Sequence, residues 1–142
     1  MQQRSPVQKC AVILGVVLLA AGIAGFFYNG TFTSNEAVHD NMFGAFSVNG
    51  WSNTLHVLLG IWGLAAGSSW SGARVYGYGA GLLLIVLGTW GLILGAYHSI
   101  ISIIPVNTAI DFARLAIGVI LVLCAVATSD EPAPTTAAPV QG

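Results

Sequence analysis

VNGWSNTLHVLLG, residues 48–60, puts two asparagines and a histidine at the entrance of an otherwise apolar run, and VNTAIDFARLAIG, residues 106–118, repeats that pattern without a gap. At an offset of 58 residues Val48 meets Val106, Asn49 meets Asn107, Asn53 meets Asp111, His56 meets Arg114 and Gly60 meets Gly118. Positions 49, 53, 56 and 60 step by four, three and four, which is the spacing of one face of an α-helix. Each stretch reads as the opening of a helix whose polar stripe gives way to small residues deeper in.

Outward from these openings the chain is strongly apolar. Of its 142 residues 56% are hydrophobic and only 6% charged, against roughly 25% charged in soluble proteins, and the mean hydropathy is +0.82. This is the composition of an integral membrane protein of one domain. A bilayer core needs about 20 apolar residues per helix, and four stretches qualify: residues 9–28, 51–68, 75–98 and 108–127. Phe26, Phe27, Tyr28, Trp51, Trp70, Tyr76 and Tyr97 bracket them, as aromatic residues do at membrane interfaces. The apolar run of the first span is longer than a signal-peptide core, so it reads as a retained helix. A Ser/Gly turn over residues 69–74 and a Pro105-containing connection over residues 98–107 join the later spans, while residues 29–50 form the one long loop.

Arg4, Lys9 and Arg74 fall on one side of this arrangement and the loops opposite carry no Lys or Arg. The positive-inside bias therefore predicts a multi-pass plasma-membrane (inner-membrane) protein with both termini cytoplasmic. Residues 129–142, rich in Pro, Ala and Thr, read as a solvated, disordered cytoplasmic tail. The net charge of −1 and four scattered cations argue against nucleic-acid binding, which needs a basic patch.

The first and third spans also match, Gly22 and Gly25 against Gly88 and Gly91 at an offset of 66. The chain thus reads as two helical hairpins in tandem, entering the membrane in the same sense and related by an axis along its normal. Gly60, Gly77, Gly81, Gly88, Gly91, Gly95 and Gly118 are candidate helix-packing positions, because small residues let membrane helices approach closely. The expected architecture is all-α: a compact antiparallel four-helix bundle.

The N-x-x-x-N-x-x-H-x-x-x-G run from Asn49 to Gly60, the later P-V-N at Pro105 and the second polar helix resemble a small, largely actinobacterial family, the domain of unknown function DUF4383. The resemblance covers most of residues 10–127 and implies a four-helix topology without an activity. That family's pattern has a histidine in both halves and an Asp-Asn pair in the second. Here Ser52 stands where a further histidine is common, and Ile110, Asp111 and Arg114 replace Asp, Asn and His. This departure speaks against a role that requires paired histidines.

Asp111 and Arg114 are three apart on one helical face, within salt-bridge reach. A charge at the centre of a membrane helix costs about 2.5–3.5 kcal/mol on insertion scales, so an inward, paired placement is expected. One reading joins Asn107, Asp111 and Arg114 to Asn49, Asn53 and His56 in an interhelical clamp. Others make the same group an outer-leaflet binding or proton-relay site, or a contact to a partner protein. His39, His56 and His98 with Glu36, Asp40 and Asp111 are metal-type residues, but their spacing is irregular, and Arg114 replaces the obvious second histidine of a haem pair. Cys10 and Cys124 lack a metal-ligand spacing. No nucleophile elbow or phosphate-binding loop is present, and Asn29-Gly30-Thr31 reads as a turn rather than a glycosylation acceptor.

No cofactor is implied. The leading expectation is a non-enzymatic accessory or stabilising subunit of a larger membrane complex, such as a transporter or respiratory assembly, with the lipid bilayer and other integral membrane proteins as partners. The alternative is a binding or transport protein with a polar outer-leaflet site for an ion, a proton or a lipid headgroup.

Overall fold

The computed structural model describes residues 4–32, 41–96 and 98–128; Glu36, His39, Asp40, Tyr97 and the tail lie outside the described residues. The described chain is mostly helical: α1 (Pro6–Tyr28), β1 (Asn41–Met42), β2 (Phe46–Ser47), α2 (Gly50–Ala66), α3 (Trp70–Leu94), β3 (Ser99–Ile100), β4 (Ile104–Pro105) and α4 (Thr108–Ala127). With 23, 25 and 20 residues, α1, α3 and α4 are long and apolar enough to cross a membrane. The expected second span, residues 51–68, is shorter than read from sequence. Helix α2 has 17 residues, at the lower limit of about 17–25 for a crossing.

The helix boundaries follow from capping chemistry. At the start of α1, the Gln8 side chain accepts from both the backbone N–H and the hydroxyl of Ser5, each at 2.9 Å, and Pro6 suits a first turn whose N–H groups have no helical partner. Asn49 and Asn107 cap α2 and α4, each side-chain oxygen accepting at 2.9 Å from the N–H three residues on, that of Ser52 and of Ile110. Ser69 caps α3 through Gly72 N at 3.1 Å. That cap starts α3 at Trp70 instead of residue 75. Gly95, at φ 81°, stops it before residue 98. Gly95 therefore serves as a helix terminator and not as a packing position, and a side chain there would meet nothing.

Both connections expected to be loops contain a two-stranded antiparallel β-hairpin, pairing Met42 with Phe46 in one and Ile100 with Ile104 in the other. Phe43 and Gly44 have φ of 55° and 71°, Ile101 and Ser102 of 46° and 62°. Two consecutive left-handed residues form the turn whose twist suits a tight β-hairpin. Only Gly44 among the four advertises it, since Phe, Ile and Ser seldom adopt that backbone.

Helix α1 packs mainly along α2, and α3 along α4. Gln8 Nε2, near the start of α1, donates to the Gly67 carbonyl just past the end of α2, so these two run antiparallel. Arg74 Nε, near the start of α3, donates to the Ala125 carbonyl near the end of α4. Glycines set the separation. A Cβ on Gly22 would lie 2.7 Å from the Asn53 carbonyl oxygen, and one on Gly88 would lie 2.7 Å from that of Asp111. Gly15 meets the Gly60 carbonyl, as Gly81 meets that of Gly118. Between the pairs, Leu18, Leu59, Tyr76, Leu84 and Leu121 form the buried core.

Two predictions test this packing. Gly22→Val and Gly88→Val should each cost about 1–3 kcal/mol, the range for overpacking a filled interior, whereas Gly30→Ala, which would meet only ordinary contacts, should shift the unfolding midpoint in detergent little. Ile101→Gly should raise that midpoint, because a left-handed L-residue carries a penalty of about 1–2 kcal/mol that glycine avoids.

Candidate functional site: a buried polar belt beneath the β-hairpins

The polar residues singled out in sequence gather at the end of the bundle that carries the β-hairpins. Asn49, Asn53, His56, Asp111 and Arg114 are all buried, Asn53 and Asp111 completely. Beyond capping its own helix, Asn49 donates from Nδ2 to the Ile103 carbonyl of the second β-hairpin at 2.7 Å. Asn107 does the converse, donating from Nδ2 to the Ala45 carbonyl of the first at 2.7 Å and to Asn41 Oδ1 at 3.4 Å. Ala45 and Ile103 are themselves 58 residues apart. Each helix opening thus holds the connection that belongs to the other.

One turn deeper, Asn53 Nδ2 donates to the Asn29 carbonyl at the end of α1 at 2.8 Å. Its Oδ1 lies over Gly25, where any Cβ would collide with it. Asp111 occupies the matching place over Gly91. Its Oδ1 accepts from Arg114 Nη1 at 2.8 Å, and Arg114 Nη2 reaches the Pro105 carbonyl at 3.3 Å. His56 is buried and has no hydrogen-bond partner among the described residues. It faces the same small cavity as Arg114.

This geometry revises the expected clamp. The bonds that cross between halves run from the capping Asn49 and Asn107 to β-hairpin carbonyls, not from Asp111 and Arg114 to Asn49, Asn53 and His56. The charged pair bonds within its own half, and Asn53 ties α2 to α1. The shorter crossing bonds, at 2.7 Å, go to backbone carbonyls of Ala45 and Ile103, to which no side-chain pattern points.

The family model described as a domain of unknown function (DUF4383) matches residues 8–127. The chain belongs to the DUF4383 family. The match runs from the first turns of α1 to the last residue of α4 and so takes in the whole belt. No curated protein and no solved structure matches the chain.

The belt of this DUF4383 protein offers little solution chemistry. Among the described residues no three His, Cys, Asp or Glu side chains converge as a metal site would require. His98 is exposed on the second connection, with Nδ1 3.2 Å from the Ala96 carbonyl. The buried atoms without a partner in the described structure include Asn53 Oδ1, Asp111 Oδ2 and Arg114 Nε. The first two lie against the Gly25 and Gly91 backbones, where weak Cα–H···O contacts are available. Asn29 turns the chain at the end of α1, its Oδ1 accepting from the N–H and hydroxyl of Thr31 at 2.9 and 2.6 Å. At the opposite end Arg74 lies over the Trp70 ring, 4.9 Å from its centroid.

Breaking the buried ion pair should cost more than replacing it. Arg114→Leu leaves a buried carboxylate alone and should destabilise the protein by about 3–5 kcal/mol. Asp111→Asn with Arg114→His, which installs the neutral pair of the first half, should recover most of that loss in thermal or urea unfolding in micelles. Asn49→Ala and Asn107→Ala should each cost about 0.5–2 kcal/mol from the cap alone. Each should also speed amide exchange in the β-hairpin whose carbonyl it releases, the second for Asn49 and the first for Asn107.

Proposed function

We propose that this protein is a small, non-enzymatic integral membrane protein that acts as an accessory or stabilising subunit of a larger membrane complex, such as a transporter or respiratory assembly. The observation that carries this reading is the inward commitment of the belt. Its asparagines bind backbone carbonyls and its charges bind each other, so little is left to hold a substrate. The glycine faces are used within the bundle as well, which leaves the exposed aliphatic and aromatic surface, including Ile13, Leu58, Val86, Ile93 and Phe112, as the place for contact with lipid and with other membrane proteins.

In this reading the chain is a tandem duplication of one helical hairpin. All four helices cross the plasma membrane, both termini are cytoplasmic and the β-hairpins face outward. Support comes from the recurrence of the Asn49 and Asn107 caps and of the left-handed turns at an offset of 58, of the Gly22 and Gly88 contacts at an offset of 66, and from the placement of Lys9 and Arg74 at the end opposite the β-hairpins. Purification of the full-length protein from its native membrane in mild detergent should yield a discrete assembly with another integral membrane protein in fixed ratio. Consistent migration as a lone monomer would overturn the accessory role. Cysteine-accessibility labelling should find residue 44 open to an impermeant reagent from outside and residue 135 closed to it.

A second reading rests on the partnerless Arg114 Nε and Asp111 Oδ2: a polar outer-leaflet site for an ion, a proton or a lipid headgroup. It requires ligand binding that Asp111→Asn with Arg114→His abolishes while the fold is retained.

A further inference from the structure

We propose that a crevice between α1 and α4, beneath the first β-hairpin, is a binding site for one acyl chain of a membrane lipid. It is independent of any partner protein and rests only on the membrane placement. The cavity measures about 190 Å³ and bares carbon throughout. Val17 and Ala21 of α1, Phe46 of the β-hairpin and Ala113 and Ile117 of α4 form its walls, and Leu84 of α3 contributes from within the bundle.

The internal correspondence shows why this space is open. Ala21 matches Leu87 at the offset of 66, and Ala113 matches Leu55 at the offset of 58. In the second half the equivalent space is filled: Leu87 is buried with Ile100 and Val106, and Leu55, Leu94 and Ile104 pack against them. Two alanines for two leucines remove six carbon atoms. A cavity of roughly 150 Å³ accommodates a six-carbon ring, so the missing carbons account for most of the space. The vacancy on the first side is thus a local difference between otherwise matched halves.

The occupant follows from what surrounds the crevice. Of the lining only His56 and Arg114 carry polar side-chain atoms, and neither bares polar surface to the space, whereas water would need two to four polar partners there. Val17 on its rim is 45% exposed, and Val16 and Phe112 beside it are likewise exposed, so the crevice is continuous with the hydrocarbon-facing surface. His56 lies two turns along α2 from its cap, about 10 Å at 1.5 Å per residue, which sets the crevice at acyl depth rather than at the headgroups. A lipid tail reaches it from the surrounding bilayer without desolvating a polar group.

The test uses the full-length protein in phosphatidylcholine–phosphatidylglycerol vesicles containing phosphatidylcholine with a mid-chain diazirine. On illumination, lipid adducts should concentrate on the peptides bearing Ala21, Phe46 and Ala113 and fall several-fold with excess unlabelled lipid. Ala21→Leu with Ala113→Leu, which copies the filled half, should abolish this concentration and leave labelling elsewhere unchanged. Even labelling over the lipid-facing surface would overturn the proposal, as would labelling that survives the double substitution. Should that variant fail to fold, the wild type decides alone: chain-spin-labelled phosphatidylcholine should show a motionally restricted component that excess unlabelled lipid displaces, and its absence would overturn the proposal. Crosslinking from a photoreactive side chain at position 113 should give a lipid adduct; a second protein chain captured there instead would overturn it.

Discussion

A polar group taken out of water must find its partner inside the protein, because an unmet one is costly. Asn49 and Asn107 answer that constraint twice over. Each satisfies an orphan N–H at its own helix start and then fixes a β-hairpin carbonyl of the opposite half. The β-hairpins, the helix openings and the buried belt are consequently one connected unit. Loss of either asparagine leaves an N–H and a carbonyl to be satisfied elsewhere.

Below that unit the structure depends on backbone proximity. Without a hydrophobic driving force between helices in lipid, packing has to come from close contact, and glycine permits it at Gly22 and Gly88. The same closeness puts Asn53 against Gly25 and Asp111 against Gly91. Polar satisfaction and tight packing are therefore not separate layers: a larger residue at position 25 or 91 would displace the polar side chain facing it.

The two halves differ where chemistry and shape matter most. Asn53 and His56 are replaced by Asp111 and Arg114, a charged pair bonded within its own helix. Ala21 and Ala113 lie where their counterparts are Leu87 and Leu55, so one side of the bundle keeps a crevice and the other closes. The α1–α2 and α3–α4 sides of the bundle are in this way chemically distinct.

The membrane character, the helical class and the matched polar openings were legible from the sequence, since apolar length and a helical period are local properties. The start of α3 is not legible, because Ser69 and Gly72 have the composition of a turn and only the hydrogen bond from Gly72 N to Ser69 makes them a helix cap. The β-hairpins were missed because Phe43, Ile101 and Ser102 are not residues that announce a left-handed turn. The polar faces of α2 and α4 are legible in the sequence; the groups they bond to are not. By itself, the sequence determined which side chains must avoid lipid. Only tertiary structure decided what they bind, because the acceptors of Asn49 and Asn107 are backbone carbonyls of Ile103 and Ala45, present in every residue and singled out only by where folding places them.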